Sequence, residues 1–457
     1  MAKKIVFLTG ATGTMGSAGL KELMRYPEQY QIRILARPSA KNKEKLSHLD
    51  PRLKIIWGDL TNGKDVLKGV TGADIVLHVG GMVSPYADYH PEQTIFTNIK
   101  AAENIRDAVK AQEKQPKLVY IGSVAQYGFR PEPYHWGRTG DPIRVSKFDH
   151  YGVTKVNAER ILTDSGLDCW VSLRQSGILY PAILKNYDPI MFHVPIRGVL
   201  EWATVEDSGR LLEHVCRDDV PAEFWKRYYN IGSGDQYRIS NYRFEQLLLG
   251  AIGCPKPEQI FRAKWFATQN FHGMWYADGD VLENYLHFRA NIPVEEYFRQ
   301  LAKAESLPAG IKFASRTHIA KLFPHCVKLA MYACAMRKTY GTQWWIKHND
   351  VDRINAYYGS REAYEAIPEW KNFDCSEPSK EVKLKPFDWD EKKPMADFTL
   401  ADMQAVAKAR GGQCISKEMT KGDWDTQLEW EDSEGKHFAA SPRLILLGGH
   451  WSPLSLH

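Results

Sequence analysis

Tyr151 and Lys155 stand four residues apart in a segment with helical periodicity. This spacing brings two side chains onto one face of a helix. A free phenol, with a pKa of about 10, is a poor base at neutral pH, but a neighbouring ammonium group favours the phenolate and lowers that pKa. Such pairs also occur on ordinary helix surfaces. The chemical interpretation therefore depends on partners elsewhere in the chain.

Two such partners follow predicted strands. Ser123 lies two residues after the apolar run 117–121, at the end of the predicted strand, where its hydroxyl would hold a substrate oxygen. Asn98 lies on a predicted helix and would anchor a water that relays protons to Lys155. Together with Tyr151, these residues predict proton exchange with a carbonyl or alcohol oxygen. The predicted catalytic residues are Ser123, Tyr151, Lys155 and Asn98.

Three glycines, Gly10, Gly13 and Gly16, follow the apolar run 4–9 and precede a helical pattern over 17–26. A glycine turn at a helix N-terminus directs backbone N–H groups and the positive end of the helix dipole at a phosphate. An ordinary strand-turn-helix with chance glycines is the alternative. The position after an apolar strand favours nucleotide binding. The predicted contacts in this turn are Gly10, Thr12, Gly13, Thr14, Met15 and Gly16.

The end of the second predicted strand bears on the choice of nucleotide. NAD-selective sites place a carboxylate there for the ribose 2′-hydroxyl, whereas an arginine suits a 2′-phosphate. Here Arg37 stands at that end, and three lysines follow at 41, 43 and 45. A solvated surface cluster is the alternative explanation. We expect NADP(H), with NAD(H) as the alternative, and we expect Asp59, after the third strand, to accept from the adenine amino group.

Composition limits the other possibilities. The chain has 457 residues, 44% hydrophobic and 25% charged, with a net charge of +5, which suits two or three globular domains. No basic tract indicates a nucleic-acid partner, and the longest apolar run, 327–336, is half the ~20 residues of a membrane helix. Seven cysteines without a CxxC pair, and no signal peptide before the first strand, predict a cytoplasmic protein without a metal site.

The order of elements predicts the fold class. Predicted strands at 31–36, 54–58, 73–79, 117–121 and 168–174 alternate with helices, the longest at 93–111 and 149–165. This alternation indicates an α/β fold, a Rossmann-type doubly wound parallel sheet. Ligands of such sheets bind at the carboxyl ends of the strands, where all the candidate residues above are placed.

Taken together, these motifs resemble the extended short-chain dehydrogenases/reductases, the group of NAD-dependent sugar epimerases, dehydratases and related ketone reductases. The resemblance covers about residues 3–305. It implies catalysis by Ser123, Tyr151 and Lys155 with support from Asn98, and a homodimer through the helices that carry Asn98 and Tyr151. The motifs that carry it are Gly10-x-x-Gly13-x-x-Gly16, Gly58-Asp59-Leu60, His78-Val79-Gly80-Gly81, Asn98, Ser123 and Tyr151-x-x-x-Lys155. The further cofactor contacts that it implies are Leu60, His78, Val79, Gly80 and Lys155.

Two departures from the family concern the reaction and the substrate. Sugar-nucleotide dehydratases carry an aspartate-glutamate pair where this chain has Ala125 and Gln126, so we do not expect dehydration. The stretch 182–204, where sugar-nucleotide enzymes bind the diphosphate, is mostly apolar, and Lys185 and Arg197 are its only Lys or Arg residues. This composition predicts a smaller and less charged substrate. The predicted pocket residues are Ser84, Gln126, Tyr127, His135, Tyr180 and His193, the two histidines being either auxiliary acid-base groups or structural.

The remaining third of the chain is harder to interpret. We predict an extended short-chain dehydrogenase/reductase catalytic domain at 1–305, a helical extension and linker at 306–395, and a small C-terminal module at 396–457. The last resembles a treble clef. We call it degenerate because the cysteines expected near Asp432, Ser452 and Ser455 are absent. Zinc requires about four N or S ligands. We therefore expect a metal-free module that serves as a dimer contact or a lid.

The sequence thus predicts an NADP(H)-dependent oxidoreductase that interconverts a ketone and a secondary alcohol on a small, partly apolar substrate. Two alternatives remain open at this point. One is an epimerase or isomerase of a sugar or sugar nucleotide that recycles its cofactor. The other is a non-catalytic nucleotide-binding sensor or scaffold.

Overall fold

The computed structural model describes residues 3–48, 50–185 and 187–457. Its strands, in chain order, are β1 (Lys4–Thr9), β2 (Tyr30–Ala36), β3 (Lys54–Trp57), β4 (Ile75–His78), β5 (Lys117–Ser123), β6 (Trp136–Gly137), β7 (Trp170–Gln175), β8 (Ile178–Leu179), β9 (Val199–Glu201), β10 (Ala203–Thr204), β11 (Arg227–Ile231), β12 (Arg238–Ser240), β13 (Trp275–Tyr276), β14 (Gln413–Cys414), β15 (Leu428–Glu431) and β16 (His437–Ala440).

The α-helices lie mainly between the strands and in the C-terminal third. They are α1 (Thr14–Leu23), α2 (Ala40–Leu46), α3 (Gly63–Val70), α4 (Tyr86–Tyr89), α5 (Pro91–Lys110), α6 (His150–Thr163), α7 (Val205–His214), α8 (Asn241–Ala251), α9 (Pro257–Ile260), α10 (Gly279–Leu286), α11 (Val294–Lys303), α12 (Ala309–Thr317), α13 (Pro324–Ala335), α14 (Thr342–His348), α15 (Val351–Tyr358), α16 (Arg361–Glu365), α17 (Leu400–Ala409) and α18 (Pro442–Leu446).

Seven strands form one parallel sheet in the order β11-β7-β5-β4-β1-β2-β3. The register aligns the strand ends that carry the candidate residues: Thr9 lies beside His78, and Ser123 lies beside Gln175. Because all the strands run the same way, their carboxyl ends meet at one edge. The predicted doubly wound parallel sheet is confirmed.

Each face of this sheet has its own apolar core. Alternate residues of β1, such as Val6 and Leu8, pack with α1, α7 and α10 on one face. Phe7 points to the other face, which packs against α3, α5 and α6. Buried on both faces, these strands are continuous apolar runs, the pattern of a parallel sheet.

The last sixty residues extend the second core. Strands β14, β15 and β16 form a three-stranded antiparallel sheet. Buried side chains of α17, β15 and α18, among them Met403, Trp430 and Leu444, share one apolar cluster with Ala158 and Leu162 of α6. The C-terminal module therefore packs directly on the helix that carries Tyr151 and Lys155. In the part of the chain that the structure describes, no helix is long and apolar enough to cross a bilayer.

Candidate active site

Lys155 is buried on helix α6. Asp149 caps the N-terminus of α6 by accepting from the Gly152 N–H at 2.7 Å. The Lys155 Nζ donates to the Ile121 carbonyl at 2.8 Å and lies 5.8 Å from the centre of the Tyr151 ring. Burial lowers the Lys155 pKa to about 8, and the nearby Glu159 charge opposes this shift. The ammonium is thus fixed beside the phenol, as the four-residue spacing predicted.

The Tyr151 phenol interacts with Ser123. Burial raises the Tyr151 pKa to about 12, and a hydrogen bond with Ser123 opposes this shift. The Ser123 Oγ also accepts from the Ala125 N–H at 3.2 Å, because Ser123 caps the short turn after β5. The sequence predicted a lowered phenol pKa. In the folded chain desolvation outweighs the neighbouring groups, so Tyr151 is protonated at neutral pH.

Asn98 holds two segments together beside these residues. Its Oδ1 accepts from the Met82 N–H at 2.7 Å, and its Nδ2 donates to the Met82 carbonyl and to the Thr154 hydroxyl. Thr154 neighbours Lys155 on α6. Asn98 thus connects the chain after β4 to helix α6, whereas its predicted water relay to Lys155 stays a prediction.

The glycine turn has the geometry of a phosphate cradle. Gly10 adopts a φ of +73°, and a Cβ there would meet the Gly80 backbone at 2.8 Å. A Cβ on Gly16 would meet the Gly10 carbonyl oxygen at 2.2 Å. Gly13 precedes α1 and makes no side-chain cap, so the backbone N–H groups of Thr14, Met15 and Gly16 face the turn without a side-chain acceptor. These residues fit a dinucleotide pyrophosphate.

Cations surround the entrance to this turn. Arg37 is exposed at the end of β2, and within the described residues its guanidinium has no hydrogen-bond acceptor. Lys45 reaches from α2 to donate to the Thr12 carbonyl at 2.6 Å. Burial and the Lys41 charge lower the Lys45 pKa. Positive charge is therefore concentrated where a ribose 2′-substituent would lie.

The other predicted cofactor contacts occupy neighbouring strand ends. One Asp59 carboxylate oxygen accepts from Thr61, and Leu60 packs against Gly80. Gly80 follows Val79 and donates to the Thr9 hydroxyl at 2.9 Å. The His78 ring also contacts Thr9, at 3.0 Å, and burial lowers its pKa to about 3. The neutral imidazole of His78 thus joins β4 to β1 inside the sheet, and its predicted contact with the cofactor stays a prediction.

A cavity of about 160 Å³ lies at the N-terminus of α6. Two of the predicted pocket residues, Ser84 and His193, line it. The sequence missed most of its wall, because these residues come from six separate segments. The lining residues are Ser84, Asp88, Pro91, Phe148, Asp149, His150, Ile190, His193, Asn270, Phe271, His272, Tyr340, Arg353 and Tyr357.

Three titratable groups of this cavity affect each other and the phenol. Burial raises the Asp88 pKa to about 7, the Asp149 charge adds to this shift, and a hydrogen bond from Ser84 opposes it. The His272 ring contacts Asp149 through Nδ1 at 3.0 Å. The charges of Asp149 and Asp88 both contribute to the raised Tyr151 pKa. Charges in the cavity therefore influence the pKa of Tyr151.

Gln126 and Tyr127 lie elsewhere than predicted. Both are buried, and their polar groups face away from the cavity. Gln126 donates to Glu159 at 2.7 Å, and the Tyr127 hydroxyl accepts from Arg174 and donates to Asn230. The turn after β5 directs both side chains inward, because Gln126 completes the capping box of Ser123.

The two remaining predicted pocket residues, His135 and Tyr180, do not line the cavity. His135 is buried under the segment around Ser379, whose carbonyl contacts its Nε2 at 2.8 Å, and it packs on Trp275. Tyr180 is half-buried after β8 and does not line the cavity. His193 lines the cavity, but its Nε2 contacts the Tyr340 carbonyl, and burial lowers its pKa to about 4. The structural interpretation of both histidines fits these contacts.

Glu159 forms a fully buried network behind Lys155. Its carboxylate accepts from Arg174 and Gln126, each at 2.7 Å, and from the hydroxyl of Ser172 at 2.5 Å. His450, from the C-terminal module, contacts the same carboxylate at 2.7 Å. The paired charges hold the pKa of Glu159 low against its burial. An ionised carboxylate thus lies one helical turn after Lys155.

The outer face of α6 is covered by the same chain. Arg160 donates to the carbonyls of Trp451 and Ala439, and Asp164 accepts from the Ser441 N–H. No residue of α6 is exposed. The homodimer predicted through α5 and α6 stays a prediction, but the C-terminal module already occupies the α6 half of that surface.

His450, His437 and Cys414 are side chains of the C-terminal module whose types could bind zinc, but each lies among other partners. His450 contacts Glu159, His437 contacts Glu431 at 2.9 Å, and Cys414 is buried in the apolar cluster. Among the described residues, no three His, Cys, Asp or Glu side chains converge on a metal position.

Comparison with known proteins agrees with this geometry. Residues 6–174 match the model of the NAD dependent epimerase/dehydratase family. A UDP-glucose 4-epimerase from Rickettsia akari is 30% identical over 125 residues, which are 26% of this chain and 36% of that protein. The 3 beta-hydroxysteroid dehydrogenase type 7 of Rattus norvegicus is 24% identical over 235 residues, 49% of this chain and 68% of that protein. The match thus spans about a third of the epimerase and two thirds of the steroid enzyme.

Solved structures extend the likeness in fold. DesIV, a dTDP-glucose 4,6-dehydratase from Streptomyces venezuelae solved with NAD and TYD bound, superimposes with a TM-score of 0.52 at 17% identity. That superposition covers 65% of this chain and 96% of the dehydratase. About a third of this chain therefore lies outside that superposition.

Proposed function

From the match of residues 6–174 to the NAD dependent epimerase/dehydratase family model, we propose that the protein is an NADP(H)-dependent oxidoreductase. It would interconvert a ketone and a secondary alcohol on a small, partly apolar substrate. The observation that carries this proposal is the buried Tyr151 phenol, whose pKa is lowered by Ser123 against its burial and whose ring lies 5.8 Å from the Lys155 ammonium.

A bound nicotinamide dinucleotide would supply hydride transfer. The chain's own residues would manage the proton. Tyr151, protonated at neutral pH because of its raised pKa, would donate to the carbonyl oxygen during reduction. Ser123 would hold that oxygen by a hydrogen bond. Lys155 would place a positive charge beside the phenolate that forms.

The contacts around the cofactor cleft support NADP(H) over NAD(H). Arg37 would form a charge-assisted pair with a 2′-phosphate. The Lys45 side chain, which reaches Thr12, adds a second cation near the same position. A carboxylate that would bind two ribose hydroxyls is absent from the end of β2.

The turn after Ser123 argues against dehydration. Ala125 has no acid-base group, and the Gln126 amide is engaged by Glu159 and by the Ser123 N–H. Neither residue offers a proton to a leaving hydroxyl. The reaction would therefore stop at the level of ketone and alcohol.

An epimerase with recycled cofactor is the second candidate. The 30% identity to UDP-glucose 4-epimerases favours it. Against it, the cavity is small, and Ile190 and aromatic rings supply much of its wall. Among the described residues, Arg353 is the only Lys or Arg that lines it, and this cation already packs over Phe148 and Tyr340.

Steady-state assays separate the two candidates. We expect stoichiometric oxidation of NADPH with a panel of small, partly apolar ketones, and no competition by free UDP. Interconversion of UDP-hexoses without net change in NADPH absorbance, together with competitive inhibition by micromolar UDP, would replace the reductase by the epimerase. Tight dinucleotide binding without turnover on either panel would favour the sensor.

A further inference from the structure

Residues 306–349 have a charge pattern unlike the rest of the chain. They contain seven Lys or Arg residues and no Asp or Glu. The net charge of this segment therefore exceeds the net charge of +5 of the whole protein. In the part of the chain that the structure describes, Lys312, Arg316, Lys321 and Lys328 have no carboxylate within ion-pair distance. Uncompensated charge of one sign on one surface indicates an oppositely charged partner.

Exposed apolar side chains are interspersed with these cations. Leu322 and Leu329 are 74% and 69% exposed, more than any other large apolar residue among those described. We call residues 312–333 the basic apolar surface. Its large exposed apolar side chains are Phe313, Ile319, Leu322, Phe323, Leu329 and Tyr332.

Helix α13 shows that this exposure is not incidental. Its inward residues Val327, Met331 and Cys334 pack on the core that contains Phe192 and Trp265. Its outward residues Cys326, Leu329, Ala330 and Ala333 follow the helical spacing and are exposed. A helix that is apolar on every side is normally surrounded by apolar material. The outward face of α13 therefore needs an apolar cover.

We propose that the basic apolar surface binds an anionic lipid bilayer as a peripheral contact. Apolar side chains would enter the boundary between headgroups and acyl chains, while the lysines and Arg316 meet lipid phosphates. A second copy of the chain fits less well, since a twofold contact would bring Lys321 and Lys328 against the same cations of the partner copy. The proposal differs from the expectation, drawn from the sequence, of no membrane partner, which considered only spanning helices.

The basic apolar surface adjoins the wall of the cavity. The Tyr187 hydroxyl donates to the Ala330 carbonyl at 2.5 Å, and Arg337, just after α13, pairs with Asp188. The turn that follows Asp188 contributes Ile190 to the cavity, and Tyr340 contributes a second wall. Lipid contact would thus place the cavity close to the bilayer. Vesicle binding needs no turnover, so the proposal can be tested independently of the chemistry of Tyr151.

Co-sedimentation of the full chain with vesicles tests the proposal. We expect binding to vesicles of phosphatidylcholine and phosphatidylglycerol in equal parts, little binding to phosphatidylcholine alone, and weaker binding at high salt. The double variants Leu322→Ser/Leu329→Ser and Lys321→Glu/Lys328→Glu should each bind at least about tenfold more weakly.

Matched variants on other surfaces serve as controls. Leu67→Ser/Val281→Ser removes two exposed apolar residues, and Lys110→Glu/Lys408→Glu reverses two exposed charges. Both controls should bind vesicles like the wild type, and circular dichroism should show that all four variants are folded. Absence of wild-type binding to anionic vesicles at low salt would overturn the proposal. Equal binding by all variants would also overturn it. So would a wild-type protein that does not bind vesicles and forms a dimer that Leu322→Ser/Leu329→Ser dissociates.

Discussion

The His450 ring contacts the Glu159 carboxylate at 2.7 Å, although 291 residues separate them. A carboxylate at neutral pH only accepts, so His450 donates through Nε2. Burial lowers the His450 pKa to about 4, against the pull of Glu159, so the ring is neutral at neutral pH. Because Glu159 lies one turn after Lys155, the C-terminal module is joined directly to the helix of the candidate active site.

Loss of this contact should destabilise the fold. We expect His450→Ala to lower the free energy of unfolding by about 1–3 kcal/mol, because a buried carboxylate loses one donor. Urea unfolding followed by tryptophan fluorescence measures this change. His437→Ala is the matched control: it removes an exposed histidine–glutamate pair of the same module and should change stability by less than about 0.5 kcal/mol. Equal effects of the two variants would contradict the stabilising role of the contact between His450 and Glu159.

Removal of the Tyr151 hydroxyl should abolish most turnover. We expect Tyr151→Phe to lower kcat about 10²–10⁴-fold, since it removes the proton donor and keeps the ring. Dinucleotide affinity, measured by fluorescence titration, should change little, because the glycine turn lies on β1 and α1. Tyr120→Phe is the control: its ring also lies near Lys155, and its hydroxyl donates only to the Lys155 carbonyl. Wild-type turnover in Tyr151→Phe would contradict the assignment.

Charge reversal at Arg37 should change the cofactor preference. We expect wild-type protein to bind NADPH more tightly than NADH, and Arg37→Asp to reverse this order, because an aspartate repels the 2′-phosphate and accepts from a 2′-hydroxyl. Isothermal titration with both cofactors measures the two affinities. Lys43→Asp reverses an exposed charge on the nearby helix α2 and should keep the NADPH preference. Equal wild-type dissociation constants would contradict this prediction.

A homodimer would need the α5 side of the predicted interface. Ile95 and Phe96 are 41% and 62% exposed on α5, whereas α6 is covered by the C-terminal module. If the predicted homodimer forms, Phe96→Ser should dissociate it at micromolar concentration, because a large apolar contact is lost. Light scattering distinguishes the states. A wild-type mass near the 52.2 kDa of one chain would rule the homodimer out.

The sequence predicted the sheet well because its signals are local. The apolar run over β1 and the glycines after it are contiguous, and their backbone consequences do not depend on distant residues. Strand β2 and helix α5 begin at Tyr30 and Pro91, within two residues of the predicted starts. The placement of Ser123, Tyr151 and Lys155 could be predicted for the same reason, since strand ends and helical spacing position them, while their catalytic role stays a prediction.

The walls of the cavity could not be predicted in this way. Arg353 and Tyr357 enter from a helix two hundred residues after Tyr151, and no periodic pattern links them to it. The direction of Gln126 depended on its capping contact with Ser123 and on a carboxylate 33 residues away. Long-range packing decides such orientations, and a single sequence carries no local signal for it.

Asp88 should control the pH dependence of the reduction. Its pKa is raised to about 7, and its negative charge raises the Tyr151 pKa. As pH rises through about 7, ionised Asp88 makes Tyr151 a weaker proton donor, so kcat/KM for ketone reduction should fall. In Asp88→Asn this decline should disappear and leave one nearer pH 8, where the Lys155 ammonium deprotonates. Asp352→Asn, an exposed aspartate on α15, should keep the wild-type profile.

Stability provides a second readout of the same group. Between the ordinary Asp pKa of 3.8 and about 7, the folded chain holds a proton on Asp88 that the unfolded chain has lost. Wild-type stability should therefore fall as pH rises through this window, and Asp88→Asn should remove that part of the slope. Urea unfolding at a series of pH values measures both slopes. Identical slopes in the two proteins, together with an unchanged kcat/KM profile, would show that Asp88 does not titrate in the cavity.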